Sequence, residues 1–297
     1  MKKWSRVLMV LMISILAISL AGCSSASNSS NSNPKQESTL EKAKRQGYIT
    51  VGFANEAPYA YATPDGKLTG EAVEVSRVIL KKMGINEMNG VLTEFGSLIP
   101  GLNANRFDMI TAGMWINAAR AEQVSFANPD YQIGEAIAVK TGNPLNLHSY
   151  KDIGSNSKVK VGAMSGSAEV KELIGSGVAD SQIVSVPDQP SALAALQAGR
   201  VDVITMSGPA LQSVLDTAKD STIERVKEFT QPVIDGKSVV GYGAAVFRKN
   251  DNDFRDAYNK ELAAMEESGE LLSIIKPFGF TEDNLPKGIT VEKVIGK

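Results

Sequence analysis

The sequence predicts an α/β protein of two similar lobes, each a mixed sheet flanked by helices, joined by a two-strand hinge. Three observations support this class. Short apolar runs alternate with amphipathic stretches, which is the pattern of strands and crossover helices. The chain has 297 residues, 43% hydrophobic and 22% charged, which is enough apolar material for one large core or two medium ones. Finally, two sequence phrases recur in the same order along the chain.

The first residues carry the pattern of an export signal. Basic residues precede an apolar stretch at residues 7–21, which is shorter than the roughly 18 residues needed to span a bilayer. The stretch ends in Leu20-Ala21-Gly22-Cys23, which resembles the lipobox of bacterial lipoproteins. The resemblance implies that residues 1–22 are a signal peptide cut before Cys23, whose thiol carries a lipid. The alternative is a secretory signal with a coincidental cysteine, which would leave the one thiol of the chain unpaired.

Residues 23–38 are interpreted as a lipidated tether. They are rich in Ser and Asn and contain no aliphatic side chain larger than Ala26, so burial cannot offset the entropy of ordering them. The folded part of the chain is therefore expected to begin at about residue 39 and to stand away from the membrane surface.

The first folded unit is predicted from its strand and helix patterns. Residues 49–53 form an apolar strand, and residues 70–83 form an amphipathic helix. Ser97 is expected to be the N-cap of a further helix that leads into a strand at residues 107–112.

A second unit repeats the first. The phrase at residues 105–111, Asn-Arg-Phe-Asp-Met-Ile-Thr, returns at residues 199–205 as Gly-Arg-Val-Asp-Val-Ile-Thr. Likewise Thr50-Val51-Gly52 opens the first unit and Lys160-Val161-Gly162 opens the second. This ordered repetition favours two lobes of similar topology over the alternative, which is one extended sheet.

The connections between the lobes are expected where the repeat breaks. Residues 136–140 and 242–247 have the pattern of two matching strands, which form a hinge if they run antiparallel. This places lobe 1 at residues 39–138 and 245–297, and lobe 2 at residues 139–244. A hinge with two crossings implies a cleft that opens and closes around a small molecule.

Composition excludes several classes of function. A single His and a single Cys rule out most zinc sites and most hydrolases in which a His base activates a nucleophile. The 31 Lys and Arg residues are balanced by 33 Asp and Glu residues and form no basic block, so nucleic-acid binding is not expected. No metal and no cofactor are predicted.

Five segments carry a resemblance to a known family. In chain order they are Leu68-Thr69-Gly70, Phe95-Gly96-Ser97-Leu98-Ile99-Pro100-Gly101-Leu102, Arg106-Phe107-Asp108, Arg120-Ala121-Glu122-Gln123-Val124-Ser125-Phe126-Ala127-Asn128-Pro129 and Gly199-Arg200-Val201-Asp202. They resemble the polar amino-acid family of extracytoplasmic solute-binding proteins of ABC importers. Within this family, three further segments look most like the binders of ectoine and hydroxyectoine: Asn55-Glu56-Ala57-Pro58-Tyr59, Thr69-Gly70-Glu71-Ala72 and Gly113-Met114-Trp115.

The resemblance implies a fold like that of type II periplasmic-binding proteins and a binding role without catalysis. The expected ligand is a small zwitterion, ectoine or hydroxyectoine, which the protein delivers to ABC permease subunits in the membrane. A monomer is expected, anchored through its N-terminal lipid to the outer face of the cell membrane.

The ligand is expected beyond the carboxyl ends of the strands, where open α/β sheets bind their ligands. The candidate ligand-binding residues near these ends are Glu56, Tyr59, Phe95, Trp115, Arg120, Ser165, Gly166, Ser167 and Ser207. Arg120 matches the clamp that the family uses for a ligand carboxylate, since a planar guanidinium binds a carboxylate through two hydrogen bonds. The alternative for Arg120 is a surface ion pair with Glu122. Ser165 and Ser167 precede a helix whose free N–H groups can bind an anion, and the alternative is a simple N-cap by Ser167.

Tyr59, Phe95 and Trp115 are expected to form three walls of an aromatic box, with Glu56 as its one negative charge. A delocalised cation gains up to about 2 kcal/mol from each desolvated ring, and a carboxylate accepts its N–H protons as well. Ordinary core packing is the alternative for each ring.

One departure from the family pattern bears on the substrate. Amino-acid binders of the family often carry an Asp five residues after the Asp of the Gly-Arg-x-Asp phrase, where it holds the ammonium group of the ligand; Ser207 has this position here. The sequence therefore favours a ring cation tied to a carboxylate, as in ectoine. A polar amino acid is the alternative ligand. The alternative functions are a two-lobed lyase with Glu56 as acid/base and a solute sensor.

Overall fold

The structure is a computed structural model that describes residues 37–234 and 236–296. The predicted signal peptide, Cys23 and most of the tether lie outside the described residues. Two mixed sheets, each flanked by helices, form the cores of two lobes, which agrees with the predicted fold class.

The sheet of lobe 1 combines strands from distant parts of the sequence. Its strands are β1 (Tyr48–Phe53), β4 (Glu87–Leu92), β5 (Met109–Trp115), β6 (Ser125–Phe126), β7 (Tyr131–Ile133) and β15 (Gly241–Phe247). The order is β4-β1-β5-β15-β6, with β7 paired to β15 as well. The strands β4, β1 and β5 run parallel, and β15 is antiparallel to β5. Two short strands, β2 (Tyr61–Ala62) and β3 (Leu68–Thr69), form a separate antiparallel pair.

The sheet of lobe 2 has five strands in an equivalent arrangement. They are β8 (Glu135–Lys140), β9 (Val161–Met164), β10 (Ile183–Val186), β11 (Val203–Ser207) and β12 (Ile223–Arg225). The order is β10-β9-β11-β8-β12, in which β10, β9 and β11 are parallel and β8 is antiparallel to β11. A small ribbon of β13 (Val233–Ile234) and β14 (Lys237–Ser238) follows before the chain returns to lobe 1.

The helices pack on the faces of these sheets. In lobe 1 and its C-terminal return they are α1 (Thr39–Gln46), α2 (Glu71–Lys82), α3 (Leu98–Asn103), α4 (Ala118–Ala121), α9 (Asn252–Glu267), α10 (Glu270–Ile275) and α11 (Val291–Ile295). In lobe 2 they are α5 (Tyr150–Ser155), α6 (Ala168–Gly175), α7 (Gln189–Gln197) and α8 (Gly208–Ala218). Single 3-10 turns occur at Phe95–Ser97, Asp180–Gln182, Lys276–Phe278 and Glu282–Asn284.

Local sequence explains where several helices begin. The hydroxyl of Ser38 accepts the Glu41 N–H, and the Glu41 carboxylate accepts the Ser38 N–H, which makes a capping box at the start of α1. Asp188 accepts the Ser191 N–H at 2.8 Å and so begins α7. Ser97 precedes α3 as predicted but makes no side-chain cap, because it ends a 3-10 turn and has helical backbone angles, φ −94° and ψ −2°.

The predicted repeat corresponds to an equivalent register in the two sheets. In lobe 1 the Asp108 carboxylate accepts the Thr50 N–H at 3.2 Å, while the Asp108 N–H donates to the Thr50 carbonyl at 2.8 Å. In lobe 2 Asp202 makes the same pair of bonds with Lys160, both at 2.8 Å. The repeated Asp therefore ties β1 in lobe 1, and the start of β9 in lobe 2, to the strand that follows the Asp.

The hinge differs in detail from the prediction. The two crossing strands join different sheets: β8 pairs with β11 and β12 in lobe 2, whereas β15 pairs with β5, β6 and β7 in lobe 1. Residues 135–138 thus belong to the sheet of lobe 2, and Gly241 already belongs to that of lobe 1 through its pairing with Ile133. The crossings are the short segments around Gly134 and Val240, a few residues from the predicted boundaries.

Two buried carboxyl groups lie together inside lobe 1. Glu71 at the start of α2 and Asp130 before β7 are 0% and 1% exposed, and both oxygens of Glu71 and one of Asp130 have no hydrogen-bond partner. Burial, with the nearby Asp130 charge second, raises the pKa of Glu71 well above its usual value. Burial likewise raises the pKa of Asp130, from 3.8 to about 7. The folded lobe therefore binds protons at these two carboxyl groups more tightly than an unfolded chain does.

Asp130→Asn is expected to change how stability depends on pH. The folded chain binds the Asp130 proton more tightly than the unfolded chain, so the free energy of unfolding of the wild type falls as pH rises from about 4 to about 7. Asp130→Asn should lack this loss of stability. At about pH 8 its free energy of unfolding, measured with urea, should exceed that of the wild type by ~2 kcal/mol or more. The exposed Asp256→Asn serves as control. Identical pH profiles for the wild type and Asp130→Asn would contradict the prediction.

Candidate ligand-binding site

A cavity between the lobes brings together most of the predicted site residues. The free space inside it has a volume of about 20 Å³, enough for about one water molecule, so the side chains around it pack closely. Its lining residues are Glu56, Tyr59, Phe95, Gly113, Trp115, Arg120, Met164, Ser167, Ala168, Glu169 and Ser207. They come from the ends of strands in both sheets and from the turns that follow them, as the α/β topology predicts.

Arg120 is buried at the wall of this cavity and spans the two lobes. Asn117 caps the short helix α4 and accepts the Arg120 N–H at 2.9 Å, which fixes the start of the side chain. The guanidinium donates from Nη1 to the Trp115 carbonyl at 2.7 Å and from Nη2 to the Gly166 carbonyl of lobe 2 at 2.9 Å. Burial lowers the pKa of Arg120, while Glu169 and Glu56 raise it. The alternative of a surface Arg120 is thus wrong.

The three predicted aromatic side chains have different surroundings. Phe95 faces the Arg120 guanidinium, whose Cζ lies 5.3 Å from the ring centroid, so this ring already has a cation partner. Tyr59 stacks on Tyr131 with centroids 5.2 Å apart and planes at 24°. Trp115 is the last residue of strand β5, and its side chain lines the cavity.

Two glycines make room for these rings. A Cβ at Gly113 would lie 2.6 Å from the Tyr59 ring, and its φ of +59° also favours glycine. A Cβ at Gly241 would lie 2.1 Å from the Trp115 indole. A side chain at either glycine would therefore clash with the ring of Tyr59 or of Trp115.

The prediction that Glu56 is the one acidic residue of the cavity is wrong. Glu169, in the first turn of α6, lines the same cavity from lobe 2. Burial, then the Glu169 charge, raises the pKa of Glu56 from 4.5 to about 8, although Arg120 and the Gln189 hydrogen bond lower it. Burial also raises the pKa of Glu169. Two carboxyl groups and one guanidinium therefore face the ligand space.

A second acidic pair lies near Glu169 in lobe 2. Glu135 at the start of β8 and Glu172 on α6 are both buried. Burial, then Glu169, raises the pKa of Glu172 to about 7, and the same two causes raise the pKa of Glu135 well above its usual value. The lobe 2 side of the cleft thus has a strong excess of acidic groups.

The lobes are joined by hydrogen bonds that use residues of the cavity. The hydroxyls of Tyr59 and Ser207 are 2.7 Å apart. Gln189 at the start of α7 donates from Nε2 to Glu56 Oε1. Together with the bond from Arg120 to the Gly166 carbonyl, these contacts hold the two sides of the cleft against each other.

The remaining predicted residues lie at the edge of the cavity or away from it. Ser167 is the N-cap residue of α6 and lines the cavity, whereas Ser165 and Gly166 are exposed at its rim. The carbonyl of Ser165 lies 3.5 Å from the position that a Cβ of Gly96 would take, so lobes 1 and 2 approach closely there. His148 lies in the loop before α5 and contacts Asn146 and the Glu228 carbonyl, not the cavity.

Sequence reasoning missed two polar residues that the fold brings to the site. In the sequence Glu169 has the pattern of an ordinary acidic residue in the first turn of a helix, where its negative charge would interact favourably with the helix dipole. Gln189 contacts a residue 133 positions away in the sequence, and local pattern carries no signal for such a contact. Only the preceding Ser167, which was already a candidate, pointed toward Glu169.

The described part of the chain contains neither a metal-binding cluster nor a membrane-spanning helix. No cluster of three or more His, Cys, Asp or Glu side chains among residues 37–234 and 236–296 has the arrangement of a metal site. In the same part of the chain, no helix combines the length and hydrophobicity that a membrane crossing requires.

Comparison with known proteins gives consistent matches. The model of the bacterial extracellular solute-binding proteins, family 3, matches residues 49–282. The protein y4tE of Sinorhizobium fredii, named as a probable amino-acid ABC transporter periplasmic-binding protein, is 37% identical over 250 residues, which cover 83% of this chain and 82% of that protein.

Solved structures match the fold as well. The crystal structure of EhuB in complex with hydroxyectoine superposes with a TM-score of 0.79 at 37% identity and covers 87% of this chain and 98% of EhuB. An ancestral arginine-binding protein bound to arginine has a TM-score of 0.68 at 26% identity, covering 79% of this chain and 99% of that chain.

Proposed function

Because the chain belongs to the bacterial extracellular solute-binding proteins of family 3, which serve ABC importers and are not enzymes, we propose that its inter-lobe cavity captures ectoine or hydroxyectoine. The family assignment supplies the class of function, which is binding of a small amino-acid-like solute for an ABC permease. The proposal that the solute is ectoine or hydroxyectoine rests on the residues of the site.

The observation that carries the proposal is the mixture of groups around one small cavity. Arg120 offers a buried guanidinium for a carboxylate. The carboxyl groups of Glu56 and Glu169 line the same cavity, together with the rings of Tyr59 and Trp115. A compact ring that carries a delocalised amidinium and a carboxylate satisfies both halves, since aromatic faces attract a delocalised cation and carboxylates accept its N–H protons.

A cationic amino acid is the second candidate, and Glu169 favours it. With Glu56 and Glu169 both ionised, the cavity carries one negative charge beyond what Arg120 balances, which suits a ligand of net positive charge. Burial, which raises the pKa of Glu56 to about 8, weakens this argument, because one carboxyl is then largely protonated at neutral pH and a zwitterion suffices. The structural match to an arginine-binding protein makes L-arginine the appropriate test compound.

Calorimetric titration with a ligand panel tests the proposal directly. The panel contains ectoine, hydroxyectoine, proline, glycine betaine, L-arginine and L-cystine. We expect ectoine or hydroxyectoine to bind at least about tenfold more tightly than the others, a difference of ~1.4 kcal/mol. Tighter binding of L-arginine or another α-amino acid would reject the compatible solute and leave the amino-acid alternative.

Arg120→Ala and Glu56→Gln should each weaken ectoine binding by at least about 2 kcal/mol. Arg120→Ala leaves the ligand carboxylate buried without its counter-charge, and Glu56→Gln replaces a carboxyl that can ionise beside the ligand cation with an amide that cannot; either loss costs more than the loss of an exposed contact. Matched controls are Arg106→Ala and Glu122→Gln, which alter exposed side chains of the same types in lobe 1. Wild-type affinity in both site variants would reject the assignment of ligand-binding roles to Arg120 and Glu56.

We also propose that Cys23 anchors the chain to the membrane through lipid. The support is the Leu20-Ala21-Gly22-Cys23 motif after an apolar segment, followed by the Ser- and Asn-rich tether. Cells that express the protein and are fed an alkyne analogue of palmitate should label the wild-type chain, and Cys23→Ser should abolish labelling and release the protein from the membrane fraction. Equal labelling of the two chains would contradict lipid attachment at Cys23.

A further inference from the structure

Gln189 occupies a position that its residue type does not by itself explain. It is the first residue of α7 in lobe 2 and only 3% exposed, although Gln is mostly a surface residue. Asp188 caps the helix, so Gln189 is not needed to begin it. Its side chain instead leaves lobe 2 and donates from Nε2 to Glu56 Oε1 in lobe 1.

The partner of Gln189 is held in a rigid turn. The Glu56 N–H donates to the Ala60 carbonyl at 2.7 Å, and the N–H groups of Tyr59 and Ala60 both donate to the Glu56 carbonyl at 2.9 Å. The Glu56 carboxyl is thus fixed by its backbone on one side and by an amide of the other lobe on the other. Since α7 and this turn belong to different lobes, the bond exists only when the lobes are together.

The bond also separates two spaces. Glu56 lines the inner cavity, whereas Gln189 lines an outer groove between the lobes together with Asn55, Ala57 and Leu193. The pair of side chains therefore forms part of the wall between the inner cavity and the outer groove. Gln189 engages one oxygen of the Glu56 carboxyl, Oε1, and an amide does this without adding charge.

We infer that Gln189 is a positioning residue that latches the closed lobes through Glu56 and thereby sets how slowly the bound solute leaves. This inference rests on the proposed function only in so far as Glu56 faces the ligand. A contact made only in the closed form stabilises that form and slows its opening, so it acts on dissociation and leaves the encounter of the solute with the open cleft unchanged.

Stopped-flow kinetics on the full chain test the latch. In a Trp4→Phe background Trp115 is the only tryptophan and reports directly on the cavity. With ectoine as the probe, the solute should dissociate from Gln189→Ala at least about tenfold faster, because the buried Glu56 carboxyl loses its hydrogen-bond partner, with an association rate within about twofold of wild type. Gln189→Glu should dissociate at least as fast, because two carboxyl groups would then face each other. The control is Gln197→Ala, at the end of the same helix, which removes a bond to Asp220 within lobe 2.

A second measurement needs no ligand. In hydrogen–deuterium exchange of the ligand-free chain, Gln189→Ala should speed exchange of the Tyr59 and Ala60 amides in the opposite lobe, and Gln197→Ala should not. Unchanged exchange in Gln189→Ala, or an unchanged dissociation rate for whichever solute of the panel binds, would overturn the latch. Absence of ectoine binding together with faster exchange would overturn the proposed substrate and support the latch, so the two failures are distinguishable.

Discussion

The closed cleft depends on one buried cation. Among the residues that the structure describes, Arg120 is the only buried basic side chain, and it contacts both lobes. The buried acids of the same part of the chain are Glu56, Glu71, Asp130, Glu135, Glu172 and Asp251. Two of these, Glu56 and Glu172, and also the cavity-lining Glu169 interact electrostatically with Arg120. Closing the lobes therefore removes more negative than positive charge from water.

This imbalance gives closure a chemical requirement. An ionised carboxylate that loses its water and gains no partner is costly, so it either binds a proton or finds a cation. Burial raises the pKa of Glu56 to about 8 and that of Glu172 to about 7, which means that protons can meet part of the requirement near neutral pH. The cationic group of the proposed ligand would meet the rest and would make the closed form more favourable than closure around protons alone. On this proposal, binding and closure are coupled through the same carboxyl groups.

The sequence was sufficient for the lobes and for most of the cavity, for reasons that can be stated. The repeated Asp108 and Asp202 each bond to the backbone of a neighbouring strand, so similar phrases produce similar registers. Residues at the ends of parallel strands converge whatever the rest of the chain does. The sheet to which β8 belongs, and the sheet to which β15 belongs, could not be predicted, because an antiparallel strand is compatible with either sheet until its partner is known. Gln189 was missed for the same reason, since its role is defined by a turn in the other lobe.

The two lobes share a scaffold but contribute unequally to the site. Lobe 1 supplies the guanidinium and the aromatic rings, and it holds Glu56 in a turn closed by backbone hydrogen bonds within lobe 1. Three groups of lobe 2, the Ser207 hydroxyl, the Gln189 amide and the Gly166 carbonyl, bond to side chains of lobe 1 that line the cavity. A solute seated on lobe 1 would orient these side chains before lobe 2 arrives. Lobe 2 would then respond to the solute mainly through the side chains that hold it, and a small zwitterion would in this way control the position of an entire lobe.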